Sequence, residues 1–500
     1  MLKSASAARA LSCHGSAALH RLWSARRFAS TSSSSSTPDL IDELEARGLV
    51  ATLTSRSLRT HLSAAPRTVY SGVDPSADSL HVGNLLPLLT LAHFARFQHR
   101  AIVLVGGATG SIGDPSGRSS ERNALDRHTL EGNVEAIKGQ LGKFFDNVQE
   151  WYGVEPERTA AVGEGVGLGM GVRMLNNHDW MSGVSLLDFL GSVGRHARLT
   201  QMLARESVAS RLAPSSPSGG AGGMSYTEFS YQLLQAYDFA HLHTAHACTV
   251  QLGGSDQLGN ITAGIDLIRR THTLASEPAY GLTLPLLTTH TGDKFGKSAG
   301  NAVWLCAAKT SDWSFYQFFL KTTDADVQRY LRCLTLLDVE TVEEVVRAHS
   351  ADPRRRGAQQ TLAAHMTRLI RGAHAAERCK ALSEVLFSHT SAVDDAVTAA
   401  KRALAEVDIA ALAAEDLLAR VPRADVVGAD LTKLVVAAGL VKSRAEAKRL
   451  LHSGGLYVNN VQQASGDAVS DEDLVVGGKG GGRLCLLRAG KSAVKVLVVV

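Results

Sequence analysis

Three short stretches of this 500-residue chain carry side chains whose types and spacing can do chemistry. The first is His81-Val-Gly-Asn84, within Val69-Tyr-Ser-Gly-Val-Asp-Pro-Ser-Ala-Asp-Ser-Leu-His-Val-Gly-Asn-Leu85. A strand ending in glycine, a loop and a helix beginning near Ser79 would put His81 and Asn84 on one face of the first turn. Gly83 would let a ligand approach the backbone, and the helix N-terminus would favour a phosphate beside His81. The second is Asp293-Lys-Phe-Gly-Lys-Ser298, where Lys294, Lys297 and the Ser298 hydroxyl could wrap nucleotide phosphates. The third runs through Tyr226–Ala240, where Tyr231, Gln235 and Asp238 stand at i, i+4 and i+7 and so share one helical stripe. Each has a plainer reading: a helix cap with a surface histidine, a solvated basic loop, a solvated polar face.

The elements that must position these groups follow from the patterning. Apolar runs such as Ala101–Val105 end directly in glycine and alternate with helical stretches between about Thr37 and Leu305. This predicts an α/β region with a parallel sheet buried on both faces. Gly253-Gly-Ser-Asp-Gln257 follows the apolar run Ala247–Leu252, at a strand's carboxyl end, where open α/β sheets bind ligands. Residues 213–223 read as a Pro/Gly/Ser insert just before the stripe. From about 306 to 425 strand signals vanish and helical spacing takes over. A last unit, 428–495, crowds Lys442, Arg444, Lys448 and Arg449 around a helix whose Ser443 and Glu446 form a capping-box pattern, with Gly439 closing the helix before it. That basic cluster suits a phosphate backbone.

Composition narrows the function classes. No run of about 18 apolar residues occurs, so no membrane-spanning helix is expected. The six cysteines form no CxxC pair, which argues against a zinc ribbon. Residues 1–38 carry Lys3, Arg9, Arg21, Arg26 and Arg27 and no acid, leaving 47 basic against 48 acidic residues in the body. Nucleic acid must therefore be met by local patches. The Ser- and Arg-rich, acid-free stretch 1–36 reads as a mitochondrial transit peptide.

His81–Asn84 paired with Lys294–Ser298 resembles the two signatures of class I aminoacyl-tRNA synthetases. Tyr70–Asp78, Gly107–Gly117, Tyr226–Phe239 and Gln251–Ile261 resemble blocks of bacterial-type tyrosyl-tRNA synthetases, and the C-terminal unit resembles the S4 RNA-binding domain. The resemblance implies a Rossmann-type catalytic domain over 37–305, a helical anticodon-binding domain over 306–425 and an S4-like α+β domain over 428–495. It implies that His81, Asn84, Lys294, Lys297 and Ser298 are catalytic. Tyr70 and Asp238 would bond the phenol of L-tyrosine, while Tyr231, Gln235, Asp114 and Gln257 would hold its amino-acid end. Ser71, Asp74, Gly83, Gly254, Asp256, Leu287, Lys297, Arg118 and Arg122 would meet ATP, with Mg2+ carried by the nucleotide and no protein-bound metal. Lys442, Arg444, Lys448 and Arg449 would contact tRNA(Tyr). A homodimer in the mitochondrial matrix, with no membrane partner, completes the expectation.

Two departures stand out: Asn84 replaces the second histidine of many relatives, and Leu258 replaces a frequent Trp. A dinucleotide-binding reading of Gly107–Gly113 lacks a following Tyr-x-x-x-Lys pair, and Asp114-Pro115 interrupts the helix it should open. A tryptophanyl enzyme is disfavoured by Tyr70 and Asp238. An RNA-binding or intron-splicing protein derived from a synthetase is the remaining alternative.

Overall fold

The computed structural model describes residues 39–116, 125–154, 165–212, 224–271, 277–298, 301–387, 404, 409–415, 417–463, 468–477, 482–490 and 493–500. The transit-peptide reading of 1–36, Arg118, Arg122, the 213–223 insert and the side chains of Lys297 and Ser298 lie outside that description. The chain divides into Met1–Asp39 and Leu40–Val500, and the second unit holds the elements and sites below.

Its centre is a sheet of strands β1 (Thr52–Leu53), β2 (Thr68–Val73), β3 (Arg100–Val105), β4 (Val166–Gly169), β5 (Val172–Asn176), β6 (Cys248–Gly254) and β7 (Tyr280–Leu284), in the order β1-β7-β6-β2-β3-β5-β4. The five inner strands are parallel, and the edge strands β1 and β4 pair antiparallel. Val69, Val103, Val250 and Leu282 are fully buried, as expected of strands covered on both faces. The chain leaves β2 for β3 on one side, while β6 lies on the other. The strand order therefore reverses beside β2, which opens a crevice at the carboxyl ends of β2 and β6.

The predicted helix start near Ser79 is corrected. The chain makes a 3-10 turn at Val82–Asn84, and the α-helix runs over Leu85–Arg96. Pro87 accounts for this. It lacks an N–H and fits only the first turn, so a helix begun at Ser79 would have placed it in the interior.

Helices from Asp312 to Leu386 pack into the main apolar cluster with Phe315, Tyr316, Leu362 and Met366. The C-terminal sheet runs in the order Leu418–Val421, Ala493–Val499, Gly482–Ala489, Leu456–Val458, Val461–Gln462, with Val475–Gly477 also paired to Gly482–Ala489. Leu418–Val421 falls inside the span read as helical, so that boundary moves forward. Leu-Ala-Arg-Val has no strand signature of its own and is drawn into the sheet by parallel pairing with Val496–Val499. One face of this sheet, including Leu484, Leu486, Val494 and Val496, joins the main cluster. The other, including Cys485, Leu487 and Leu497, packs with Leu431, Leu434 and Ala447 of the two C-terminal helices.

Candidate active site

The site is assembled at the crevice. Asp74 follows β2 directly, and the turn Ser255–Gln257 follows β6. The helix Tyr226–His246 is N-capped by Ser225, whose hydroxyl accepts from the Glu228 N–H. Its stripe faces inward: Tyr231 and Asp238 are buried and Gln235 half-buried, so the solvated-face reading fails.

Two hydrogen-bonded groups result. In the first, the Asp238 carboxylate accepts from Asn177 Nδ2 at 2.9 Å on one oxygen and from Trp180 Nε1 at 2.9 Å on the other. Asn177 also donates to Thr109 Oγ1 at 3.0 Å. Thr109 donates to Asp74 at 3.1 Å, and Tyr231 Oη donates to the other Asp74 oxygen at 3.0 Å. Burial pushes the Asp238 carboxyl up to about 7, against the lowering pull of its two donors. In the second group, Gln257 Nε2 donates to Asp114 at 2.7 Å, Gln235 Nε2 donates to Gln257 Oε1 at 3.2 Å, and Asn260 Nδ2 donates to Gln235 Oε1 at 3.0 Å.

Tyr70 completes the pocket wall. It is 1% exposed, its ring lies 5.3 Å from that of Phe239, and its Oη is buried with no hydrogen-bond partner among the described residues. Burial, then the nearby Asp238 charge, hold its phenol well above the usual range, so it stays protonated. An orphaned buried hydroxyl costs free energy unless something bonds it. No hydrogen bond between Tyr70 and Asp238 is found among the described residues, and a hydroxyl placed between them could bond both. Ser71 is buried within β2, between Val103 and Leu252.

The two signatures meet. Val82 N–H donates to the Val303 carbonyl, Val303 N–H to Gly296 and Leu305 N–H to Leu80, so residues 303–305 stitch the first turn to the second loop. Gly296 has φ +93° and packs so closely that a Cβ there would lie 3.2 Å from the Gly83 nitrogen. The Leu287 carbonyl accepts from Phe295 N–H at the base of this loop. Lys294 acts on Asp256 across the crevice. Burial and Asp114 raise the Asp256 carboxyl, and Lys294 opposes them.

The expectation of an open helix N-terminus at Gly83, beside His81, is corrected. His81 Nδ1 accepts it at 3.0 Å, and Asn84 Oδ1 accepts from the His81 N–H at 3.0 Å. His81 and Asn84 thus cap the turn reciprocally. The bond fixes the neutral imidazole with its proton on Nε2. Asn84 does this work through an amide oxygen, so the missing second imidazole leaves no gap in the turn. Gly83 is required because a Cβ would sit 2.8 Å from His81 Cε1. Gly254 likewise leaves room for the Asp256 carboxylate, 2.5 Å from where a Cβ would be.

Asn177, Trp180, Thr109 and Asn260 join the site without having been given a role in it, although Thr109 and Asn260 lie within the Gly107–Gly117 and Gln251–Ile261 blocks. The strand-end rule points to Asn177 and Thr109, which follow β5 and β3. Lys442, Arg444, Lys448 and Arg449 are elsewhere, exposed on and beside the helix Arg444–His452. Ser443 caps that helix by accepting from Glu446 N–H, and Glu446 reaches back to Lys442 N–H.

Comparison with known proteins agrees with this geometry. A family model described as tRNA synthetases class I (W and Y) matches residues 62–388. The tyrosine–tRNA ligase of Roseiflexus castenholzii is 42% identical over 428 residues, covering 85% of this chain and 92% of that one. That of Opitutus terrae is 40% identical over 92% of this chain and 100% of its own. A C-terminally truncated Aspergillus nidulans mitochondrial tyrosyl-tRNA synthetase superposes with a TM-score of 0.61 at 31% identity, covering 70% of this chain and 95% of that one. The family model spans strands β2 to β7, both signature turns and the pocket helix, and the chain belongs to the class I tyrosyl-tRNA synthetases.

Proposed function

We propose that this chain is a mitochondrial tyrosine–tRNA ligase that works in two steps. The tyrosine carboxylate attacks the α-phosphorus of ATP in line, pyrophosphate leaves, and a terminal hydroxyl of tRNA(Tyr) then takes the tyrosyl group from the adenylate. The attacking carboxylate is already ionised, so activation needs no general base. The chain's contribution is positioning and charge stabilisation. The observation that carries the reading is the orphaned Tyr70 hydroxyl beside the donor-fixed Asp238, because it asks for a phenol.

In this mechanism Tyr70 and Asp238 bond the phenol. Tyr231, Gln235, Asp114 and Gln257 surround the amino-acid end, and Asp74, Gly254 and Asp256 line the crevice toward the nucleotide. His81 and Lys294 meet the charge that develops on the phosphates, and the resemblance gives Lys297 and Ser298 the same part. Mg2+ arrives with the nucleotide.

Further support concerns assembly and place. Leu187 and Leu186 are 81% and 72% exposed, with Leu199 and Tyr226 also bare in the segment leading to the pocket helix. Large apolar side chains left bare in one stretch of the chain suit burial against a second copy of it. The acid-free 1–36 stretch and the 31% identity to a mitochondrial enzyme support the matrix as its site.

The deciding experiment is tyrosine-dependent exchange of pyrophosphate into ATP. Exchange with tyrosine, and none with tryptophan, is expected. RNA binding without exchange would instead favour the synthetase-derived RNA-binding or splicing protein.

A further inference from the structure

The two donors that hold the Asp238 carboxylate are themselves held in different ways. Asn177 is fixed by hydrogen bonds at both ends of its amide. Its Nδ2 donates to Thr109 as well as to Asp238, and its Oδ1 accepts from the Ala108 N–H at 2.8 Å. Trp180 cannot be fixed this way, because an indole carries one polar group, its Nε1–H, and Asp238 already takes it.

The backbone does little to orient that indole. Trp180 lies on the four-residue helix His178–Met181, a single turn that is not stable alone. The χ2 torsion of tryptophan has broad minima, so rotamer preference does not fix the plane of the ring. The bond to Asp238 requires that plane, since the N–H lies in it and a tilted ring aims the proton away from the carboxylate. Packing against an apolar cluster that includes Leu175 and Phe239 limits where the indole sits. Its tilt needs a flat neighbour.

His241 is that neighbour. Its imidazole lies face to face with the Trp180 indole, with centroids 4.4 Å apart and 15° between the planes. It stands three residues beyond Asp238 on the pocket helix Tyr226–His246, so the two share a side of that helix. The helix that presents the acceptor thus also carries the plate on which the donor rests. The imidazole belongs to a row of rings: its centroid is 6.4 Å from that of Tyr237, which meets Phe189 edge-on at 6.0 Å.

We propose that His241 is a positioning residue for Asp238, holding the Trp180 indole in the plane from which Nε1 reaches the carboxylate. A flat ring is what the position requires, so phenylalanine should serve there and leucine, which fills space without stacking, should not. The orientation of the indole is a property of the free chain. Its consequence for choosing tyrosine rests on the reading of Asp238 as the acceptor of the phenol.

The test compares His241→Leu and His241→Phe with the unsubstituted full chain. Exchange of the Trp180 indole proton with water is followed by magnetic resonance on nitrogen-labelled protein without ligand, the signal being identified by its loss in Trp180→Phe. One aromatic stack is worth up to about tenfold in an equilibrium, so exchange should quicken roughly tenfold in His241→Leu and stay within about twofold in His241→Phe. In pyrophosphate exchange, preference for tyrosine over phenylalanine should fall roughly tenfold in His241→Leu and be kept in His241→Phe, with KM for ATP unmoved in both. Unaltered indole exchange in His241→Leu, or equal quickening in both variants, overturns the proposal. Quickened exchange in His241→Leu with an unaltered preference for tyrosine upholds the positioning of Trp180 and overturns Asp238 as the phenol's acceptor.

Discussion

The proposed tyrosine pocket and the C-terminal basic helix are both polar, yet they are built in opposite ways. In the pocket, Tyr70, Tyr231 and Asp238 are at most 5% exposed, and each Asp238 oxygen has a named donor. On and just before the C-terminal helix the four basic side chains are exposed, and the Arg444–Asp430 pair at 3.3 Å is an open surface contact. Buried polar groups have few partners and large penalties for losing them, so they discriminate between ligands. Exposed charges are individually weak and screened by salt, so they act by number and by release of counterions from a polyanion. One region should read the substrate's chemistry, the other its charge.

The largest effect expected from this contrast comes from replacing Lys442, Arg444, Lys448 and Arg449 together by glutamine. If each meets one phosphate, tRNA affinity should fall roughly a thousandfold at about 0.1 M salt, and the salt dependence should flatten by about three units of slope. Pyrophosphate exchange should be unchanged. Substitution is a sharper test than truncation at Gly428. Such a cut would strip Leu484, Leu486, Val494 and Val496 from the main apolar cluster and leave Leu418–Val421 without its partner strand. Binding titrations at several salt concentrations decide the matter; an unaltered slope would mean that the basic face does not meet RNA.

The next effect is smaller and chemical. Asp238→Asn keeps the shape of the pocket but removes its ionised acceptor, and the amide would present a donor to Asn177 or Trp180. Loss of a charged hydrogen bond is worth about 2–3 kcal/mol, so preference for tyrosine over phenylalanine should drop roughly a hundredfold. Competition between the two amino acids in pyrophosphate exchange measures it. An unchanged ratio would remove Asp238 from the phenol's shell.

The same contrast explains what was legible in the sequence. Tyr231, Gln235 and Asp238 lie on one helix, so periodicity alone put them on one face. Gly254–Gln257 follows an apolar strand, so its place at the crevice could also be read. The basic C-terminal helix announced itself through composition and its Ser443 cap. Trp180 could not be found this way, because it reaches Asp238 from the short helix after β5 and shares no spacing with it; Asn177 and Thr109 follow strand ends, but nothing in their spacing ties Asn177 to Asp238 or Thr109 to Asn177. His81 was found but its local geometry was not. Its capping bond to Gly83 depends on the 3-10 turn over Val82–Asn84, and the proline that imposes this turn, Pro87, lies beyond it in the next helix. Leu418–Val421 was missed because its strand character comes from a partner more than 70 residues away, not from its own residues.

The smallest expected effect tests whether burial sets the pocket's chemistry. Both Asp238 oxygens already accept hydrogen bonds, so a proton on either would confront Asn177 or Trp180 with a second donor. In the proposed function the form of Asp238 that accepts from the phenol is therefore the carboxylate. Because burial raises this group from 3.8 to about 7, its contribution to the stability of the free protein is greatest below about pH 4 and is lost as pH rises toward 7. Tyrosine binding runs the other way, since it needs the ionised form. Affinity should weaken roughly thirtyfold between about pH 8 and about pH 5.5, a range in which the amino and carboxyl groups of free tyrosine do not titrate. Trp180→Phe removes one donor that holds the carboxylate ionised, so its midpoint should move to higher pH, while the variant's affinity at about pH 9 stays within a fewfold of the unsubstituted chain. The dissociation constant of tyrosine, measured by calorimetry across this range for both proteins, reads the two midpoints. A flat profile would show that the pocket keeps Asp238 ionised throughout, and that its two donors outweigh its burial.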